Sequence, residues 1–443
     1  MSTSILPTSE ENGLVVAAVG DSMISRRLSV HRESDPVVEL LRRADVAFTN
    51  CEITFHHYES YPMVRTSKGA ETMMCAEPLM AGELARIGID LVSLSNSHAL
   101  DFGPPGMFST MKALEESNIV FAGVGRDLDE AGEPKYLETE NGRIALVSAC
   151  YDPFHQAWER ASNSNAGVPA RPGMNLLRID AEITVTKDML DTLRNITRQA
   201  GLNPPAGKKS EEKEGELVFL GQKFKLGDKP NLHRSIKKKD LDETLLSIKD
   251  AKKSADFVLL SLHSHAGDAR GLEYPPNFIC EYARACLDAG ADAFLGHGPH
   301  ILRGIEIYKK KPIFYSLGNF IAQNQTVKKV TYDQYEWFEL GENARPSDFY
   351  NARSGRIPPS EPPYAQWWFE SVIAVFRIAG STVTECKLHP ITLGFGKKHA
   401  AHIGYPEKAD PTQAKRIIEH LTKISAQWNT KILFSERIGE VLL

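Results

Sequence analysis

Phe294-Leu295-Gly296-His297-Gly298-Pro299-His300 is a short apolar run that ends in glycine and then presents two histidines. It reads as a buried strand that carries candidate metal ligands out of a sheet edge. Four other hydrophobic runs end in the same chemistry. Leu14 to Val19 stops at Gly20-Asp21, Val46 to Thr49 at Asn50-Cys51-Glu52, Leu91 to Ser95 at Asn96-Ser97-His98, and Phe257 to Leu262 at His263-Ser264-His265. Helical spacing of apolar residues separates the early runs, at Val37 to Arg43, Glu77 to Ile87 and Met107 to Ser117. Strand and helix in alternation predict an α/β fold with a mostly parallel sheet covered by helices. Such sheets bind ligands beyond the carboxyl ends of their strands, where several side chains converge.

Asp, Glu, Asn and His delivered to one such edge form an oxygen and nitrogen set suited to a hard or borderline divalent cation. No cysteine lies among the imidazoles, so an open catalytic centre fits better than a closed structural zinc site. The six cysteines are scattered without a CxxC pair and have no basic partner in sequence that marks a nucleophile, which argues for reduced thiols in a cytosol and against a thiol enzyme.

The chain has 443 residues, 42% hydrophobic and 25% charged, the make-up of an ordinary globular protein with a substantial core. Its 52 basic and 57 acidic residues leave a formal charge of -5 with no basic block, so a nucleic-acid partner is not expected. The start, Met1 to Gly13, has no signal-peptide pattern, and no later run has the length of a membrane span. A cytoplasmic protein with a small-molecule substrate and no membrane partner is the expectation; a homodimer is left open. One large domain over residues 14–443 is favoured over several. Two insertions interrupt it: a cap over 151–255, with its charged stretch Lys208 to Glu216, and an aromatic and proline-rich lid loop over 331–366.

Each candidate has a bland alternative. Asp21 suits a metal but also an N-cap, and Glu52 suits a metal but also a strand-end salt bridge. Asn96 offers a neutral oxygen and His98 a proton or a ligand, with Asp101 placed to orient the His98 ring; turn chemistry is the competing account. His263 and His265 sit at alternate positions and share a face if the strand continues. If it ends, only His263 ligates and His265 meets substrate. Arg171 and Arg178 in the first insertion could grip a substrate carboxylate, against the plainer reading of surface pairing.

The ordered motifs resemble the CapA family of poly-γ-glutamate capsule biosynthesis proteins, which is related to calcineurin-like metallophosphoesterases. The resemblance rests on Val19-Gly20-Asp21-Ser22-Met23, Asn50-Cys51-Glu52, Ser95 to Gly103, Leu262-His263, the run from Ala289 through His300, and Lys311 to Phe320 with its Gly318-Asn319 pair. It implies a four-layer αββα sandwich of the metallophosphoesterase type. It also implies a metal environment of Asp21, Glu52, Asn96, His263, His297 and His300, with His98 as proton donor and Asn319 lining the cleft. Ser97 and Gly298 replace an asparagine and a histidine common in the family, which implies one ion as readily as two. The stretch after His263, Ser264 to Asp268, also departs, so the substrate side is expected to differ.

The function expected from all this is a metal-dependent hydrolase. Manganese is the favoured ion, with zinc, iron or magnesium also suited, activating a water against an amide (γ-glutamyl-like) or ester bond. Catalytic roles fall to His98, Asp101 and His265. A metal-dependent lyase and a non-catalytic capsule-synthesis or binding protein are the alternatives. Capsule relatives are usually anchored or exported, so the lack of such a segment argues against a capsule role.

Overall fold

The computed structural model describes residues 13–28, 35–63, 72–153, 155–202, 214–356 and 365–443. The first apolar run does not stop at Gly20. It forms the strand Leu14–Met23, buried throughout, because hydrogen-bonding partners continue past the glycine. Val46–Cys51 pairs with it in parallel on one side. On the other side Glu370–Ala379 pairs antiparallel with Leu14 to Ala18, and then Asn319–Ala322 takes over in parallel from Asp21 to Met23. The change of neighbour falls at Val19-Gly20. Here the backbone of Gly318 comes so close that a Cβ on Gly20 would stand 1.8 Å from its carbonyl oxygen.

This strand is central to a ten-stranded mixed sheet running in order Ile432–Ser435, Ile438–Val441, Thr382–Thr392, Glu370–Ala379, Leu14–Met23, Val46–Cys51, Leu91–Ser93 and Val120–Ala122, with Asn319–Ala322 and Glu407–Lys408 off that path. A second sheet of six strands runs Ile305–Tyr308, Lys311–Phe314, Ala293–His297, Phe257–His263, Gly142–Cys150 and Lys135–Thr139. Strand alternation divides the core. Leu14, Val16, Ala18 and Phe48 pack with Leu146, Leu259, Leu295 and Phe314 of the second sheet. Val15, Ala17 and Val19 pack with Leu41, Met80, Leu84, Met111 and Leu114 of the helices Pro36–Arg42, Leu79–Arg86 and Gly103–Glu116. Central strands buried on both faces explain the continuous apolar runs.

The result is a mixed α/β fold with several sheets. In both main sheets the parallel strands end together, and the loops that follow carry the polar residues of the sequence motifs. The helix Asn277–Ala289 buries Phe278, Ile279, Tyr282 and Leu287 and stops at Gly290, whose φ of 129° releases the chain into the next strand.

Residues 177–242 form a second compact unit, narrower than the 151–255 segment read as a cap; residues 151–176 and 243–255 belong to the main unit. Its four strands run Glu216–Phe219, Gln222–Leu226, Ile179–Val185 and Asn231–Ile236, and Val185, Leu190 and Leu217 form its core with the helix Lys187–Gln199. The segment read as a lid loop carries two helices, Tyr332–Trp337 and Pro346–Arg356, joined edge to face by Phe338 and Phe349; its residues 357–364 lie outside those described. Among the described residues no helix is long and apolar enough to cross a membrane.

Candidate metal centre

Register alone brings much of the site together. Asp21 is the Cα partner of Asn50 on one neighbour and of Asn319 on the other. In the second sheet His263 is the partner of His297 and of Cys150. Asp21, Asn50, Glu52, Asn96, His263 and Asn319 are fully buried and His297 nearly so. Polar groups so placed must satisfy one another or hold something that does.

Asn50 Nδ2 donates to Asp21 Oδ1 at 2.8 Å and to Glu52 Oε2 at 3.2 Å, while its Oδ1 accepts from Asn96 Nδ2 at 3.1 Å. Asn96 gives its second Nδ2 hydrogen to the Cys51 carbonyl and takes the His98 amide on Oδ1 at 3.0 Å. Its amide therefore braces the loop, and the oxygen expected to ligate is already used once. Ser97 Oγ donates to Glu52 Oε1 at 2.9 Å.

The imidazoles converge from the second sheet. His263 Nδ1 lies 3.0 Å from His297 Nδ1, and His297 Nε2 lies 2.6 Å from Ser261 Oγ. His300 Nδ1 is 3.1 Å from Asp21 Oδ2 and 2.9 Å from Asn319 Oδ1. The turn that places it is strained, with Gly298 at φ 113° and His300 at φ 60°. Glycine is required at 298, since a Cβ would sit 2.8 Å from the Ser264 nitrogen. His265 follows the strand's end at His263, and Asp152 Oδ2 bonds its Nδ1.

Among the described residues, acid and imidazole groups fall into three sets compact enough to hold a metal ion: Asp21 with His263 and His297, Glu52 with His263 and His265, and Asp21 with Glu52 and His300. The donor chemistry fits a divalent cation. So does an orphan: among the described residues the buried His263 Nε2 has no hydrogen-bond partner, and it faces Glu52 Oε1 at 3.6 Å.

Electrostatics divide the two acids. Burial raises the Asp21 carboxyl, but the His300 hydrogen bond and the nearby His300 and His297 rings outweigh it and hold Asp21 below its ordinary value. Burial, then the Asp21 charge, pushes Glu52 well above its own. Burial also keeps the rings neutral, His263 well below the usual value, His300 lowered and His297 at about 4. Neutral imidazole is the form that binds a metal. For His265 burial pulls down, yet Asp152 wins and the value rises.

His98 Nδ1 lies 2.7 Å from Asp101 Oδ2, which also accepts the Met74 amide at 2.6 Å. Arg171 and Arg178 are engaged elsewhere. The Arg171 guanidinium donates to the Arg160 carbonyl at 2.9 and 3.1 Å. Arg178 belongs to the 177–242 unit and is clamped by Asp240. Asn50, Ser97, Asp152 and Ser261 were not among the site residues read from sequence. Asp152 had a signal, since it too follows an apolar strand by two residues.

A family model described as bacterial capsule synthesis protein PGA_cap matches residues 15–324, which include Asp21, Glu52, His98, His263, His297 and His300. The chain belongs to that family. Among similar proteins, the uncharacterized protein y4sH of Sinorhizobium fredii is 35% identical over 455 residues, spanning 100% of this chain and 95% of its own. The PGA biosynthesis protein CapA of Bacillus subtilis is 23% identical over 329 residues, 72% of this chain and 66% of its own. A probable polyglutamine synthesis accessory protein of Mycobacterium tuberculosis is 24% identical over 236 residues, 52% of this chain and 44% of its own.

Proposed function

We propose that this PGA_cap protein is a metal-dependent hydrolase acting on an amide, γ-glutamyl-like, or ester bond of a small carboxylate-containing substrate. The fold we assign within the mixed α/β class is the four-layer αββα sandwich of the metallophosphoesterase type. One observation carries the reading: among the described residues His263 Nε2 is buried without a hydrogen-bond partner, amid two buried acids and three further imidazoles. A buried polar atom left unpaired costs roughly 1–3 kcal/mol, and a cation held by Asp21, Glu52, His263, His297 and His300 offsets that cost.

Such an ion supplies positive charge that polarises the scissile group and lowers the pKa of a water toward neutrality. The chain's own residues do the rest. Asp101 bonds the His98 ring at Nδ1 and so fixes its orientation; as the leaving-group acid the ring would act in its doubly protonated form, giving up the Nε2 proton and returning to neutral imidazole. Asn319 gives Nδ2 to the carbonyls of His300 and Trp368, and so holds the turn that carries His300. All six cysteines are buried and none is in a disulfide among the described residues, and the setting we propose is the cytoplasm.

A second reading is favoured by the relatives' names, one a PGA biosynthesis protein and another a synthesis accessory protein: the fold would bind poly-γ-glutamate or its precursors without turnover. The separating experiment is metal analysis of chelator-free protein followed by a screen of γ-glutamyl amides and phosphoesters with the ion found. Bound metal with turnover that His98→Ala abolishes supports the hydrolase. Metal and ligand binding, with no turnover on any substrate class, supports the binding protein.

A further inference from the structure

Arg303 is a buried cation that the chemistry above does not use. It is 1% exposed, and among the described residues no carboxylate pairs with its guanidinium. Two backbone carbonyls take that place. Nε donates to the Leu272 carbonyl and Nη2 to that of Ala266, each at 2.8 Å. Asp268, an acid that acts on it from a distance, bonds Arg270 instead. Burial pulls the guanidinium down to about 9, and a charge held this way is costly to the fold. An apolar side chain would avoid the cost, but it could not donate to two carbonyls at once. The planar guanidinium carries parallel N–H groups along one edge, and here they span carbonyls six residues apart.

Both carbonyls belong to the loop that follows His265. The loop starts where the Ser264 amide donates to the His297 carbonyl at 2.8 Å, and it folds back where the Asp268 amide donates to the Tyr274 carbonyl at 3.0 Å. Two other side-chain ties of this loop, Arg270 to Gln427 and Glu273 to His420, are at the surface. Arg303 holds it from the inside, and from a fixed base. The Arg303 amide donates to the Ser316 carbonyl at 3.1 Å, and Leu302 is bridged to Leu317. Arg303 also lies three residues beyond His300. One side chain therefore joins the segment that carries His300 to the loop that carries His265, two rings whose Nε2 atoms are 3.4 Å apart.

We propose that Arg303 is a positioning residue: by clamping Ala266 and Leu272 it sets the separation of His265 from His300, and so the opening into which a cation must fit. The two histidines enter different sets compact enough to hold an ion, and Glu52 is common to both sets. A loop free to drift would carry His265 away from Glu52 and leave His300 where it is. Groups behind the ligands commonly tune a metal site in this way.

This role rests on the metal-dependent reading above, and Co²⁺ titration of the chelator-stripped protein, followed by visible absorption, separates the two. Arg303→Ala should weaken cobalt uptake by roughly 10–100-fold and shift the bands. Guanidinium ion at a sub-denaturing concentration, which refills the vacated space, should restore both. Arg303→Lys keeps the charge without the fork, so it should stay weakened and not respond to guanidinium. Far-ultraviolet circular dichroism checks that each variant is folded, and the lysine variant decides the matter if the alanine variant does not fold. Folded variants with wild-type affinity and bands would overturn the proposal and leave a metal site in place, as would a loss in Arg303→Ala that guanidinium does not restore. A wild type that takes up no divalent cation would overturn the metal reading and this role together. Weakened uptake that guanidinium restores, in a protein that hydrolyses nothing, would sustain this role and remove only the hydrolase.

Discussion

Asn50 and Asp21 are register partners on adjacent parallel strands, and the Asn50 amide donates to the Asp21 carboxylate at 2.8 Å. Because the same nitrogen also reaches Glu52, one neutral group separates two buried acids. Asn50→Asp keeps the shape and replaces that donor with a third carboxylate. Its expected cost is about 3 kcal/mol of folding stability without metal, partly restored by a divalent cation. Urea denaturation with and without the ion measures both, and unchanged stability in the metal-free variant would contradict the geometry.

The His98–Asp101 pair gives a sharper enzymatic test under the hydrolase reading. His98→Ala should lower kcat by roughly 10²–10⁴-fold and leave metal content at the wild-type level. Asp101→Asn should lower it less, and should also cost stability because Asp101 accepts the Met74 amide. Equal turnover in wild type and His98→Ala would remove His98 from the chemistry.

Gly20 carries a purely structural prediction. With the Gly318 carbonyl where its Cβ would stand, Gly20→Ala must push two strands apart just before Asp21. A loss of roughly 3 kcal/mol or more is expected, read as a lowered thermal midpoint. Gly82→Ala, on a helix with nothing within 4 Å, serves as the control and should be neutral or slightly stabilising.

Acid sensitivity should trace in part to His389, outside the site. Burial, helped by Lys408 and Lys387, pushes this imidazole down to about 4. The unfolded chain protonates near 6.5, so between about pH 6.5 and 4 it takes up a proton that the native state refuses. Stability contributed by neutral His389 is present above that window and lost as pH falls through it, by roughly 3 kcal/mol in full. Comparing His389→Leu with the wild type at pH 7 and pH 4.5 should show a shallower decline in the variant; parallel declines would exclude His389 as a source.

The sequence made the strand ends legible because each apolar run is buried on both faces and stops where polar chemistry starts. Asp21, Glu52, His263, His297 and His300 all stand out in that way. The pairing of Asp152 with His265 was hidden for a definite reason. Both lie two residues beyond Cys150 and His263, which are register partners, and register between distant strands is set by packing that one sequence does not display. Arg171 and Arg178 illustrate the converse, since a charge along the chain says nothing of what it will meet. One bonds a carbonyl of its own segment and the other bonds Asp240.

The antiparallel pairing of Leu14 to Ala18 with Ala374 to Ile378 bears on how the protein can be shortened. The family match ends at residue 324, yet the strand that carries Asp21 draws half of one flank from beyond that point. A chain cut at 324 would leave the backbone of Leu14 to Ala18 without its antiparallel partner, an open strand edge of the kind that seeds aggregation. The region that the family model matches is therefore expected not to fold stably by itself, because the C-terminal strands complete the sheet around the strand that carries Asp21.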